Sequence, residues 1–267
     1  MALCKNPKKD FKRTRKLPFS QMILTLLCME GGSLACELMK TFGHTPKLPS
    51  SSAFVQQREK ILPEAFETLF GLFVNATHSN LLFNGYRLLA IDGTDIRIPT
   101  DSQDPDSFYP GTNGQRPYNL IHLNAIETVL TNLPLESFPA YRLKSLYALR
   151  WGIETAFRDL KHTLGLLYFH VKKVEYIYQE IFARLIMYNF SELITCSVVI
   201  RKKNRKYAYK ANFSAAVHIC RQFFLGNVSP PDVEALIARF ISPIHPGRSA
   251  PRFLFAKTSV SFAYRLP

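Results

Sequence analysis

Tyr147, Arg150, Glu154 and Lys161 are the residues whose types and spacing best suit chemistry. On an ideal α-helix each residue turns by about 100°, which puts the four at roughly 0°, 300°, 340° and 320°, on one narrow stripe. Leu146, Leu149, Ile153, Ala156 and Leu160 occupy the adjoining arc, so such a helix packs one side on a core and offers its polar side to a charged ligand. Tyr147 to Glu154 spans about 10 Å and Lys161 lies about 10 Å further, too far for all four to grip one phosphate. Lys161 is therefore expected to hold a part of the ligand that flanks the reaction centre. The plainer alternative is an ordinary solvated face, with Arg150 and Glu154 paired at i,i+4 for about 0.3 kcal/mol.

A second carboxylate, Asp92, stands where the apolar run Leu88-Leu89-Ala90-Ile91 ends, and Ile96 and Ile98 then alternate with polar residues. This pattern predicts a strand over Arg87–Pro99. Carboxylates at positions 92 and 154 are hard oxygen ligands of the kind Mg²⁺ prefers. A pair of such ions activates water and stabilises a leaving 3′ oxygen.

The elements around these residues divide by pattern. Phe19–Met29, Leu34–Phe42 and Ser52–Phe73 are apolar-periodic pieces, separated by Gly31-Gly32 and by the stretch Gly43–Ser51 with its prolines. They predict a small helical domain. Ser51 or Ser52 is placed to cap the third helix, whose Gln56, Gln57, Arg58 and Lys60 are types that read base edges and phosphates. A solvated surface helix is the alternative. Residues 101–117 read as an exposed loop, Tyr118–Ile126 as a second strand and Thr128–Leu133 as a short third, with helices dominating from Pro139 to Phe224.

Charge points to the partner. Against 20 Asp and Glu stand 34 Lys and Arg, a net charge of +14. Self-repulsion of that size persists most readily beside a polyanion. Lys5, Lys8, Lys9, Lys12, Arg13, Arg15 and Lys16 form an N-terminal arm able to lie along phosphates, or a merely solvated terminus. Lys202–Lys210, with Tyr207 and Tyr209 interleaved, and the stretch after Pro243 add further basic residues. A hydrophobic fraction of 47% with 21 Phe excludes a disordered chain. The five cysteines lack paired short spacing, which argues against both a disulfide framework and a zinc finger and fits a reducing cytosol. Ile181–Ile200 is nearly long enough to span a bilayer. It contains Arg184, Asn189 and Glu192, however, and one central charge costs at least about 2.5 kcal/mol, so it reads as a buried core helix.

On these residues the chain resembles bacterial insertion-sequence transposases of the IS-four family, DDE enzymes with an RNase H-like fold. Leu89–Pro99 is similar to the strand that bears that family's first catalytic Asp in an Asp-Gly-Thr motif, which assigns the role to Asp92. Tyr147, Arg150, Glu154 and Lys161 reproduce its Tyr-x2-Arg-x3-Glu-x6-Lys signature, so Glu154 looks like its last acidic ligand. Arg15-Lys16-Leu17-Pro18-Phe19 and Ser52–Arg58 look like its helical DNA-binding region.

The chain departs from the family between the first Asp and the Glu helix, where the family's second catalytic Asp and its further strands and β-rich insertion are missing. Only 61 residues separate Asp92 from Glu154, and none resembles the segment bearing the family's second catalytic Asp. Asp95, Asp101, Asp104 and Asp106 follow Asp92 too closely to replace it. The resemblance therefore implies an α/β chain with a helical DNA-binding domain over 1–76, an RNase H-like core over 77–225 cut short by an internal deletion near Glu127, and a basic C-terminal segment over 226–267. It implies Asp92 and Glu154 as catalytic, Mg²⁺- or Mn²⁺-binding residues in an incomplete site. Tyr147, Arg150, Lys161, Gln57, Arg58, Arg15 and Lys16 become its DNA contacts. The partner is double-stranded DNA, bound by a homodimer in the bacterial cytoplasm and away from any membrane. Two functions follow: cut-and-paste transposition with impaired catalysis, or a non-catalytic DNA-binding remnant that represses transposition.

Overall fold

The computed structural model describes residues 3–12, 16–77, 92–110, 116–125, 151–200, 206–244 and 263–264. Four helices come first: α1 (Phe19–Cys28), α2 (Leu34–Phe42), α3 (Ser51–Arg58) and α4 (Ala65–Thr77). The expected third helical piece is thus two helices. Pro63 lies in the break, where the Ile61 and Leu62 segment pairs with the chain start through Lys5 N–H to Lys60 O (2.8 Å) and Leu62 N–H to Leu3 O (3.0 Å). A proline has no N–H for a continuing helical ladder. The cap of α3 is Ser50 rather than Ser51 or Ser52: its hydroxyl accepts the Ala53 N–H at 3.2 Å. Between α1 and α2, buried Glu37 accepts the backbone N–H groups of Glu30 (3.1 Å) and Gly32 (2.8 Å), which folds the glycine pair into a tight turn.

A three-stranded antiparallel sheet follows, in the order β1 (Asp92–Ile98), β3 (Tyr118–Ala125), β2 (Phe108–Tyr109). The predicted strands at 87–99 and 118–126 correspond to β1 and β3 where residues are described; residues 87–91 and the expected strand at 128–133 lie outside them. β2 lies in the stretch read as loop. Its placement depends on Asn119, whose fully buried amide accepts the Asp101 N–H (2.9 Å) and donates to Asp101 O (2.9 Å) and Ser107 Oγ (2.8 Å). Those bonds fold 101–107 back and deliver Phe108 opposite Asn119.

The second half is built on one long helix. α5 (Trp151–Arg158) runs directly into a π-helical turn over Asp159–Thr163, closed by Leu164 N–H to Asp159 O at 2.9 Å. After β4 (Tyr168–Phe169) comes α6 (Val174–Ser197), then β5 (Ala208–Ala211), α7 (Phe213–Phe224), α8 (Pro230–Ile237), β6 (Ile241–Ile244) and β7 (Ala263–Tyr264). β6 pairs with β5, and β7 lies parallel to β4. Gly165, between the π-turn and β4, has φ +78°, and a Cβ there would meet the Glu30 and Gly31 backbone at 3.3 Å, so only glycine lets this turn close on the α1–α2 connection.

α6 is buried on several sides because each side faces a different cluster. Ala183 and Ile186 pack with α1 to α4, and Met187 packs with α7 and α8. Ile177 and Ile181 pack with Leu160, Leu166 and the inward sheet residues Ile96, Ile98 and Ile121. Helices on both sides of the expected boundary at 76 therefore share one core, and Val233 and Ile237 bring the C-terminal segment into another. No helix among the described residues is long and apolar enough to cross a membrane.

Gln179, Glu180 and Arg184, buried inside this helix, are all satisfied by hydrogen bonds, whereas the buried Ser191 Oγ has no partner. Glu180, 1% exposed, accepts from Arg58 at 2.7 Å and Arg184 at 3.1 Å, and its carboxylate lies 3.2 Å from His170 Nδ1. Burial pushes its pKa up, but Arg58, His170 and Arg184 outweigh that and hold it well below its ordinary value of 4.5. A carboxyl lowered by folding contributes stability that is present above its unfolded pKa and is lost as pH falls below it. Glu180→Gln, which leaves two guanidinium groups buried without their counter-charge, is expected to cost about 3–5 kcal/mol in urea unfolding at neutral pH. Below pH 4.5 the wild type should lose stability more steeply than the variant; parallel curves would show that the carboxylate's charge contributes nothing.

Candidate nucleic-acid interface

The predicted reaction-centre residues fall on β1 and α5. Asp92 is the first residue of β1, paired with Ala125, and Glu154 lies half-buried in the first turn of α5. Tyr147 and Arg150 lie outside the described residues. Among the described residues, no group of three or more His, Cys, Asp or Glu is placed to hold a metal ion. Asp92 and Glu154 offer the hard oxygens that Mg²⁺ takes, but a two-ion site needs more donors than these, so the described set falls short of one.

Lys161 departs from the expected stripe. The π-turn closes i to i+5 and turns less per residue than an α-helix, so Lys161 no longer lies where the continuous-helix projection put it relative to Glu154. It faces instead an open cleft of about 580 Å³ between the π-turn and the outward face of β1 and β3, with Asp95, Arg97, Tyr118, His122 and His162 also lining it. Burial pulls the Lys161 ammonium below its usual pKa, and the Asp95 charge partly offsets this. Asp95 also lies 2.5 Å from His122 Nδ1 across the strands. The strand residues of this cleft were not among the predicted site residues. Their signal was strand parity: Ile96 and Ile98 face the core, so Asp95 and Arg97 must face away.

A second surface is built by the N-terminal arm and α3. The arm is not free along its length: Cys4 bridges to Ile61, and Lys5 Nζ donates to the Tyr176 hydroxyl at 3.3 Å. Phe11 then packs edge-on against Phe19, 5.4 Å between ring centroids. This directs Lys9, Lys12 and Lys16 to two adjoining hollows of about 550 and 670 Å³ that share Leu17, Gln57 and Lys60. Lys60 donates to Gln57 Oε1 at 2.7 Å, which orients the Gln57 amide. Gln57 and Lys16 thus both line these hollows, whereas Arg15 lies outside the described residues.

Arg58 is corrected by the structure. It is 2% exposed, with Nη1 on Glu180, Nε on Gln179 at 3.0 Å and Nη2 on the Tyr176 carbonyl at 2.5 Å. Four residues before it on the same helical face is Phe54, which is in the core, and a side chain at i+4 from a core residue follows it inward. No donor of this arginine is directed to a phosphate.

Residues 114–190 match the model of the family described as transposase DDE domain. The matched stretch holds β3, α5, the π-turn, β4 and most of α6, and so carries Glu154, Lys161 and Glu180; Asp92 and the N-terminal helices lie outside it. No curated protein matches the chain, and no solved structure does.

If the arm surface meets phosphates, replacing Lys16 and Lys60 together by Ala should lower the slope of log K against log salt for duplex DNA by about 2, because each neutralised phosphate contributes about 0.9. Thermal stability should stay unchanged. A variant with the wild-type slope would remove these lysines from the interface.

Proposed function

We propose that the chain is a DNA-binding relative of the IS-four-type DDE transposases, with an RNase H-like core cut short by an internal deletion and strand transfer impaired. The single observation that carries this reading is the match of residues 114–190 to the transposase DDE domain, over a stretch that includes the Tyr147, Arg150, Glu154 and Lys161 spacing. In this reading the helices over 1–76 recognise element-end duplex DNA: Gln57 offers its amide to base edges, and Arg15, Lys16 and Lys60 hold phosphates. Tyr147, Arg150 and Lys161 hold the strand beside the former reaction centre. Asp92 and Glu154 are the surviving carboxylates; without a third, the neutralisation of two cations that this chemistry depends on is incomplete.

The protein acts on DNA in the bacterial cytoplasm, as a homodimer that holds paired ends, and by occupying those ends it represses intact copies of the element. A cut-and-paste transposase that retains Mg²⁺- or Mn²⁺-dependent cleavage is the other reading, favoured by the presence of both Asp92 and Glu154.

Incubating purified protein with labelled element-end DNA and Mg²⁺ or Mn²⁺ separates the two. The expected result is a gel shift without nicking. End-specific nicking that disappears in Glu154→Gln would overturn the claim of impaired catalysis. Equal shifts of random and element-end DNA at several salt concentrations would remove specific end recognition and leave only counterion-release attraction.

A further inference from the structure

The outward face of the sheet carries a feature that duplex binding does not use. Tyr109 stands directly across from Tyr118, and their rings stack with 5.5 Å between centroids and 15° between planes. The Arg97 guanidinium lies 4.2 Å from the Tyr118 ring centroid. β1 and β2 flank β3 on opposite sides, so Arg97 and Tyr109 sandwich Tyr118 and form a row of guanidinium, ring and ring across the sheet. The row has an open end at Tyr109, which is 47% exposed.

Cross-strand aromatic pairs also occur simply because they stabilise a sheet. That reading does not account for the other end of the row. Arg97 Nε is buried without a hydrogen-bond partner, so packing within the sheet does not satisfy this guanidinium. Beside it runs the cleft shared by Arg97, Tyr118, Lys161 and His162. Arg97 and Lys161 are the arginine and lysine of this cleft, with Asp95, which lies against His122, as the carboxylate beside them.

We propose that this face binds an unpaired stretch of a DNA strand, with one base extending the stack on Tyr109 and the neighbouring phosphates lying over Arg97 and Lys161. Stacking on an exposed ring tolerates any base, because every base has a π-face. A base within a duplex has both faces covered by its neighbours, so the site selects single-stranded over double-stranded DNA. The inference rests on the reading of the chain as a DNA-binding protein but uses none of the α3 surface.

The test is a fluorescence-anisotropy titration of the full chain with a labelled twelve-nucleotide oligothymidine and, separately, with a twelve-base-pair duplex. Tyr109→Leu and Tyr118→Leu should each weaken oligothymidine binding by about tenfold and leave duplex affinity unchanged. Tyr118→Phe, which keeps the ring, should bind as wild type, and Arg97→Met should weaken the oligonucleotide and flatten its salt dependence. The double substitution of Lys16 and Lys60 by Ala should do the opposite, weakening the duplex alone. Tyr109 is at the surface, so Tyr109→Leu is expected to keep the wild-type circular dichroism. If that folded variant binds oligothymidine as tightly as wild type, or if wild type does not bind it at all, the proposal is overturned. Failure of the wild type to bind the duplex, with its oligothymidine response intact, would instead count only against the α3 surface.

Discussion

The rest of the structure depends on one buried carboxylate. Glu180 sits on α6 and is reached from α3 by Arg58, from within α6 by Arg184 and from the residue after β4 by His170, whose backbone N–H and ring both lie against it. Those partners extend the network further. His170 Nε2 lies 3.1 Å from the Gly32 carbonyl in the α1–α2 turn, and Arg184 donates to the carbonyls of Leu164 and Tyr168 at 3.3 and 2.8 Å. Apolar packing alone permits helices to slide or rotate at modest cost, whereas a buried charge left without its partner is strongly destabilising. The network therefore allows one register of the N-terminal helices on α6.

Both candidate surfaces are positioned by that register. Arg58 points inward to Glu180, and this turns the adjacent Gln57 and the earlier Gln56 toward the hollows around Lys16 and Lys60. On the other side, Arg184 holds the Leu164 carbonyl at the end of the π-turn, and Gly165 lets the chain close against Glu30. The turn that carries Lys161 is thus tied to the same helix as the arm surface. Two basic regions far apart in sequence take their relative positions from α6.

Much of this was legible from residue pattern and some was not. The helices at 19–29 and 34–42 followed from apolar periodicity, and β1 and β3 from alternation, because those signals are local. Ile181–Ile200, read as a buried core helix from its internal charges, is helical to Ser197 and buried in its first half, with Leu193 and Val199 exposed. The cap at Ser50, the break at Pro63 and the strand at Phe108 depend on which neighbouring group takes a hydrogen bond, and spacing does not record that. Arg58 was assigned to DNA because arginine suits phosphate. The i,i+4 relation to Phe54 pointed the other way, and the buried acid that needed a cation, Glu180, is 122 residues distant. Arg97 and Tyr118 carry no spacing signal of their own: they meet only because antiparallel pairing brings two distant strands together with both residues on the outward face.

The π-turn over Asp159–Thr163 bears on how a spacing motif should be interpreted. A helical turn closed by an i to i+5 bond is an α-helix with one residue inserted, so its interval counts residues that the helical wheel does not. Deleting one residue between Glu154 and Lys161 would let the helix run on unbroken, yet it would swing the lysine out of the cleft or pull Leu160 and Leu164 from their separate cores. The seven-residue step from Glu154 to Lys161 thus includes one residue more than an unbroken helix would need, and the direction in which this cation points depends on it.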